Sequence, residues 1–330
     1  MTGDTLLEIR DLTTRYDVGK RSVRALDGVS FTIARGETLG IVGESGSGKS
    51  TMARSLIGLV PPPGRITSGD VVFEGKNVLS MKQSEIRRLR GNQIGFVPQD
   101  PLSSLNPLIR IGEQVAEGLR IHRGLSRKAA EERVIDLLER VDIVDPGQRM
   151  RDYPHQLSGG MRQRVAIAIA IACEPKLLIA DEPTSALDVT TQAQVLGIMK
   201  RLSAELGMSM VLITHDFRVA AKMCDSIAVM YAGRIVEAGP SKFVFGAPQM
   251  PYTRALLQAM PTVEAHTPRE RLQVIPGLPP DLAELRDGCR FASRCAYAKD
   301  ECLAHEPSLT RRENGQDARC WATEPGGWLE

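Results

Sequence analysis

Residues Gly43-Glu44-Ser45-Gly46-Ser47-Gly48-Lys49-Ser50-Thr51 read G-x-x-x-x-G-K-S, a loop that binds a polyphosphate. Its glycines let backbone N–H groups converge on phosphate oxygens. Lys49 reaches the terminal phosphates, and the Ser50 hydroxyl is placed to ligate Mg²⁺. Downstream, the apolar run Lys176–Ala180 ends in Asp181-Glu182. One carboxylate there can hold Mg²⁺ and the next can polarise an attacking water. A second apolar run, Ser209–Thr214, ends in His215-Asp216. Between the phosphate loop and the first of these runs lies Ser158-Gly159-Gly160, which opens a helix and offers a second anion site. Alone, that turn is only a helix start.

This chemistry needs particular elements. A strand, Thr38–Val42, must feed the phosphate loop, and a helix, Thr51–Ile57, must leave it with its positive end facing the ligand. The apolar runs before Asp181 and His215 read as buried strands that deliver these residues to the carboxyl end of a sheet, where α/β folds bind ligands. Gln93–Gln99 reads as another strand ending in a polar residue. Upstream, Leu6–Arg10 and Val29–Ile33 alternate as short strands, with Tyr16 in loop-like sequence beside Asp17, Gly19 and Lys20. Asp70–Glu74 and Lys76–Val78, split by Gly75, add a further pair, which makes the entry region antiparallel β. Residues 112–144 have a helical pattern and separate the phosphate loop from the later motifs. Residues 226–237 suggest a closing β-hairpin.

Composition narrows the class. The chain has 330 residues, 42% apolar and 25% charged, as an ordinary globular protein of one large domain plus an appendage, or two domains. A net charge of +2 gives no argument for nucleic acid. No apolar run reaches the length of a membrane span, and the start Met1–Thr5 is polar and acidic rather than a signal peptide, so a cytoplasmic location is expected.

From about residue 241 the character changes. Prolines recur (Pro248, Pro251, Pro261, Pro268, Pro276, Pro279, Pro280) as in a linker with turns. Four of the six cysteines follow: Cys289, Cys295, Cys302 and Cys320, spaced C-x5-C-x6-C-x17-C. In a reducing compartment such a cluster points to metal before disulfides. The tight pairs of structural zinc sites and the usual ferredoxin spacings are both missing. Four thiolates can still converge on zinc or on an iron–sulfur cluster. Cys173 and Cys224 sit in apolar helical stretches and read as inert core residues.

Taken together, residues 5–240 resemble the nucleotide-binding subunit of an ABC transporter. The resemblance implies a P-loop (RecA-like) α/β core with an antiparallel β subdomain and a helical subdomain at about 100–172. Residues 1–240 would form the nucleotide-binding domain and 241–330 a small Cys-rich extension. It implies ATP and Mg²⁺ as ligands. Tyr16 would stack on adenine, and Gly43–Thr51 would be the Walker A loop. Gln99 would touch Mg²⁺ and the attacking water and sense the membrane subunits. Ser158, Gly159 and Gly160, following Leu157, would form the signature that binds the γ-phosphate held by an opposite subunit. Asp181 would hold Mg²⁺ with Ser50, Glu182 would act as general base, Asp188 would lie in the D-loop, and His215 would face the γ-phosphate. Lys49 and these groups together would carry hydrolysis at a dimer interface.

Three segments narrow the resemblance: Gln99–Pro107, Tyr153–Arg164, and Met230–Glu237 followed by Pro251–Leu257. They are similar to the oligopeptide/dipeptide importer branch, and closer to the first-named ATPase of its pair. That branch implies a related ATPase partner, two membrane permease subunits, an external solute-binding protein and a peripheral place on the cytoplasmic face of the inner membrane. It also includes importers of nickel chelates and glutathione, and its cysteine-bearing extension holds a [4Fe–4S] cluster in some members. A soluble, non-transport ABC ATPase is the alternative from another class.

Overall fold

The structure, a computed structural model, describes residues 5–260 and 274–329. Met1–Asp4, Pro261 and Pro268 lie outside the described residues. In chain order the strands are β1 (Thr5–Val18), β2 (Arg21–Ala34), β3 (Thr38–Val42), β4 (Gly64–Phe73), β5 (Lys76–Asn77), β6 (Ile94–Val97), β7 (Leu177–Asp181), β8 (Ser209–Thr214), β9 (Ser226–Tyr231), β10 (Arg234–Pro240), β11 (Thr310–Arg311) and β12 (Asp317–Ala318). The α-helices are α1 (Lys49–Leu56), α2 (Gln83–Leu89), α3 (Pro101–Ser104), α4 (Ile111–Arg123), α5 (Arg127–Arg140), α6 (Pro146–Arg149), α7 (Gly159–Ile171), α8 (Val189–Leu206), α9 (Phe217–Met223), α10 (Ser241–Gly246), α11 (Pro251–Gln258) and α12 (Asp300–Ala304).

Two sheets form. The first is antiparallel, in the order β2-β1-β4-β5. The second has the order β11-β12-β10-β9-β3-β8-β7-β6, and β9-β3-β8-β7-β6 within it are parallel. Every residue of β3, β7 and β8 is buried, as continuous apolar runs covered on both faces must be. Alternate side chains enter two cores. Leu178 and Ala180 of β7 face the helices, while Leu177 and Ile179 pack toward α1 and the antiparallel sheet. The register β3–β8–β7 brings Val42 opposite Thr214 and Asp181 opposite Ile213, so the phosphate loop, the acidic pair and His215 leave one end of the sheet together.

The structure differs from the sequence reading in three places. Tyr16 is paired within β1, opposite Val23 and Gly64, and is not in a loop. The expected short strands merge into two 14-residue strands with register shifts, which absorb bends without ending the ladder. The helical run 112–144 is broken: Gly124 caps α4 in the left-handed region and Ser126 restarts the chain as the N-cap of α5.

The C-terminal residues do not stand apart from this fold. β12 pairs with β10, extending the main sheet (Glu237 opposite Ala318), and Tyr252, Phe291, Cys320 and Ala322 share the helix-side core.

Candidate functional site

A cleft of about 500 Å³ opens at the carboxyl end of the parallel strands. Ser45, Gly46, Gly48, Lys49, Ser50 and Thr51 form its floor, and Gln99, Glu182 and His215 its rim, with Ala25 at the side. The loop follows β3 and opens α1, so α1 presents its N-terminus to the cleft. Gly48, the residue before α1, has φ 107°, and a Cβ there would lie 2.4 Å from the Ala25 carbonyl oxygen. No other residue type fits that approach.

Lys49 is buried, and its ammonium donates to the carbonyl oxygens of Gly43 (2.8 Å) and Glu44 (2.9 Å). Burial pulls its pKa down, against the pull of Glu182, Asp181 and Glu44. The ammonium stands 3.9 Å from the Glu182 carboxylate. The Ser50 hydroxyl donates to Asp181 Oδ1 at 3.0 Å. Asp181 is buried, and desolvation pushes its carboxyl above the ordinary range. A buried carboxylate beside a hydroxyl suits a hard cation, so Mg²⁺ fits the donors present.

Glu182 sits at the centre of the rim. Its Oε2 accepts from the Gln99 side-chain amide at 3.3 Å and lies 3.1 Å from His215 Nδ1. Its backbone is left-handed, φ 46°, and its N–H is pinned to the Ile213 carbonyl at 2.9 Å. A non-glycine residue in that region costs on the order of 1–3 kcal/mol, and such strain collects at functional sites.

Other sequence candidates lie elsewhere. The Tyr16 ring packs against Gly64 and is not part of the cleft lining. Ser158 and Asp188 cap α7 and α8, accepting from the N–H groups of Met161 (3.3 Å) and Thr191 (3.0 Å). The two helix starts touch: a Cβ on Gly160 would meet Thr191 Cγ2 at 2.5 Å. Ser158, Gly159 and Asp188 are exposed and line no part of their own chain's cleft.

Cys289, Cys295, Cys302 and Cys320 line one small, largely apolar cavity, and the Cys289 N–H donates to the Cys302 carbonyl at 2.7 Å. Burial pushes the Cys289 thiol up to about 12, with the other three thiols adding to it. Among the described residues, no three His, Cys, Asp or Glu side chains are placed to hold a single metal ion. Cys224 is buried with its thiol pushed up to about 12, and Cys173 is buried beside Arg123, as inert core thiols should be.

A larger depression, of about 820 Å³, lies between Glu74, Arg35 and α2. Its Glu74 is already paired with Arg35 and Lys176, so it holds no convergent chemistry.

Residues 26–185 match the ABC transporter family, and residues 236–302 match the family described as the oligopeptide/dipeptide transporter C-terminal region. The oligopeptide transport ATP-binding protein OppD of Bacillus subtilis (strain 168) is 46% identical over 321 residues, covering 97% of this chain and 89% of that protein. The chain belongs to the ATP-binding proteins of ABC transporters. The dipeptide transport ATP-binding protein DppD of Escherichia coli (strain K12) is 44% identical over 315 residues, 96% of either chain. A solved dimeric structure of the ATP-binding cassette MJ0796, in a post-hydrolysis state with ADP and Pi, superposes with TM-score 0.65 at 32% identity, covering 72% of this chain and 99% of that one. This ABC ATPase accordingly works on ATP with Mg²⁺.

Sequence reasoning placed the loop, Gln99, Asp181, Glu182 and His215, and the fold gathers them. It missed Ala25, and it missed the grip of the C-terminal residues on the loop. The Tyr252 hydroxyl accepts from the Glu44 N–H at 2.9 Å, and Arg294 pairs with the Glu44 carboxylate. Residues some 200 or more positions from the loop leave no local pattern to find.

Proposed function

We propose that the chain is the ATP-hydrolysing subunit of an importer of oligopeptides or dipeptides, driving partner membrane subunits. The observation that carries the catalytic part is the Glu182 carboxylate held between Gln99 and His215, 3.9 Å from the Lys49 ammonium. On this reading Lys49 and the N–H groups opening α1 bind the β- and γ-phosphates. Ser50, Asp181 and Gln99 would hold Mg²⁺, which would supply neutralisation of charge on the phosphates. Glu182 accepts the proton of the attacking water, and Gln99 and His215 orient it.

The second wall of the site comes from another ATPase subunit. Exposed Ser158, Gly159 and Asp188, with half-buried Gly160, at adjoining helix N-termini support that reading, as does the dimeric state of the MJ0796 cassette. The names of OppD and DppD support peptides as the cargo. Among the described residues no helix is long and apolar enough to cross a membrane. Leu102, Leu108 and Ile109, just beyond Gln99, are exposed and suit contact with a membrane subunit on the inner face of the membrane. Residues 1–240 act as the nucleotide-binding domain, with helices 100–172 as its helical subdomain, and 241–330 as the extension.

The four thiols of the extension hold a [4Fe–4S] cluster in a structural or regulatory role. Their shared cavity supports this. Anaerobic purification followed by iron and acid-labile sulfide assay should find both, and Cys302→Ser should lose both. Zinc, or neither iron nor sulfide, in the unaltered chain overturns the cluster.

The wider reading is tested by tagging the Glu182→Gln chain, extracting it from its host's membranes with Mg-ATP and identifying its companions by mass spectrometry. Two multispanning proteins and a second ATPase are expected. Recovery only from the soluble fraction, with ribosomes or nucleic acid, would replace the importer with a non-transport ATPase.

A further inference from the structure

The short segment from Cys289 to Cys295 carries two buried arginines, and both leave the extension. Arg290 pairs with Asp27 and the Ala232 carbonyl, next to the β9–β10 turn. Arg294 reaches the phosphate loop itself. Its side chain is 4% exposed, and its two terminal nitrogens donate to the two Glu44 carboxylate oxygens at 2.6 and 2.9 Å. Its Nε donates to the Pro276 carbonyl at 3.0 Å. The guanidinium lies over Tyr231 (5.8 Å) and Phe291 (5.9 Å), two rings that pack edge-on at 5.4 Å. A further N–H donates to the Tyr231 hydroxyl at 3.3 Å, so four of its five donors have acceptors.

Glu44 is gripped on three sides. Arg294 holds its carboxylate, the Tyr252 hydroxyl accepts from its N–H, and its carbonyl receives the Lys49 ammonium at 2.9 Å. A continuous chain of contacts runs from the residue preceding Cys295 to the lysine that meets the phosphates. Charge adds a second effect. Glu44 places an anion in a loop built for anions, and the paired guanidinium neutralises it.

We propose that Arg294 is a positioning residue for the phosphate loop: it fixes and neutralises Glu44, so that the extension helps to set the affinity for ATP. This rests on the ATP-binding reading above. The test is calorimetric titration of the full chain with ATP in EDTA, so that nothing is hydrolysed. Arg294→Met should weaken ATP binding about tenfold, within the usual range of coupling between sites. Adding Glu44→Gln to that variant should recover most of the loss, because the stranded anion is gone. Arg294→Lys, which keeps the charge but not the two-pronged geometry, should fall between. A merely structural arginine would lower the melting temperature, leave the affinity of the folded chain unchanged and show no recovery in the double variant. Equal affinity in the unaltered chain, Arg294→Met and Arg294→Lys overturns the inference while leaving the ATPase reading intact. Failure of the unaltered chain to bind ATP overturns that reading instead. Should Arg294→Met not fold, Arg294→Lys decides alone, through a raised KM for ATP at near-normal kcat.

Discussion

At the scale of single residues, Glu182 concentrates the chemistry. It is held by Gln99 and His215 and kept in a left-handed backbone by the Ile213 carbonyl. A glutamine in its place keeps the size and the acceptor oxygen but cannot take a proton. Glu182→Gln should therefore retain ATP binding while phosphate release falls by about 10²–10⁴-fold, the usual contribution of a positioned base. Phosphate-release assays beside calorimetric ATP titration check it. Near-normal turnover would remove Glu182 from the role of base and return it to the strain it carries.

Among the elements, β10 has the widest consequences, because its Glu237 ties the nucleotide core to the C-terminal residues. Glu237 is fully buried, and its carboxylate accepts from the N–H groups of Gln249 (2.6 Å) and Met250 (3.1 Å) and from the Gln316 amide (3.0 Å). Burial raises its pKa, and the backbone hydrogen bonds only partly oppose this. The folded state thus holds the proton more tightly than the unfolded chain. Its contribution to stability is complete below the ordinary glutamate value of 4.5 and is lost as pH rises through the raised value. Glu237→Gln stays neutral throughout, so the unaltered chain should lose stability relative to it as pH climbs from 4.5, then run parallel. Glu237→Ala strands three donors and should cost about 1–3 kcal/mol. Urea melts at several pH values measure both.

The same element shows where sequence stops being informative. The phosphate loop was legible because spacing alone forces its geometry, and β7 and β8 because fully buried strands must be continuous apolar runs. β11 and β12 have two residues each, too few for any period, and exist only because β10 offers an edge. Tyr16 was misplaced because polar neighbours at Asp17, Gly19 and Lys20 look like a loop, although only the tip of the hairpin turns there. The Arg294–Glu44 pair spans 250 positions and could be found only in three dimensions.

For the whole molecule, the decisive fact is that the site is split. The phosphate loop and the acidic pair share one cleft, while Ser158 and Asp188 cap helices whose exposed starts lie outside it. Val189, the first residue of α8, is 82% exposed beside them, an apolar group with no partner within the described chain. A polar helix terminus flanked by bare apolar surface is poorly suited to water and well suited to a second subunit carrying ATP. A single chain should therefore bind ATP through its own loop yet need another chain's Ser158 end to hydrolyse it. Ser158→Arg puts bulk and charge at that end without touching the chain's own cleft. ATP affinity of the isolated chain should stay within about twofold, the range for surface changes. ATP-driven association, followed by light scattering in the Glu182→Gln background, should disappear, and hydrolysis with it. A loss of ATP affinity in the isolated Ser158→Arg chain would mean that the helix end serves its own cleft, and the composite site would have to be abandoned.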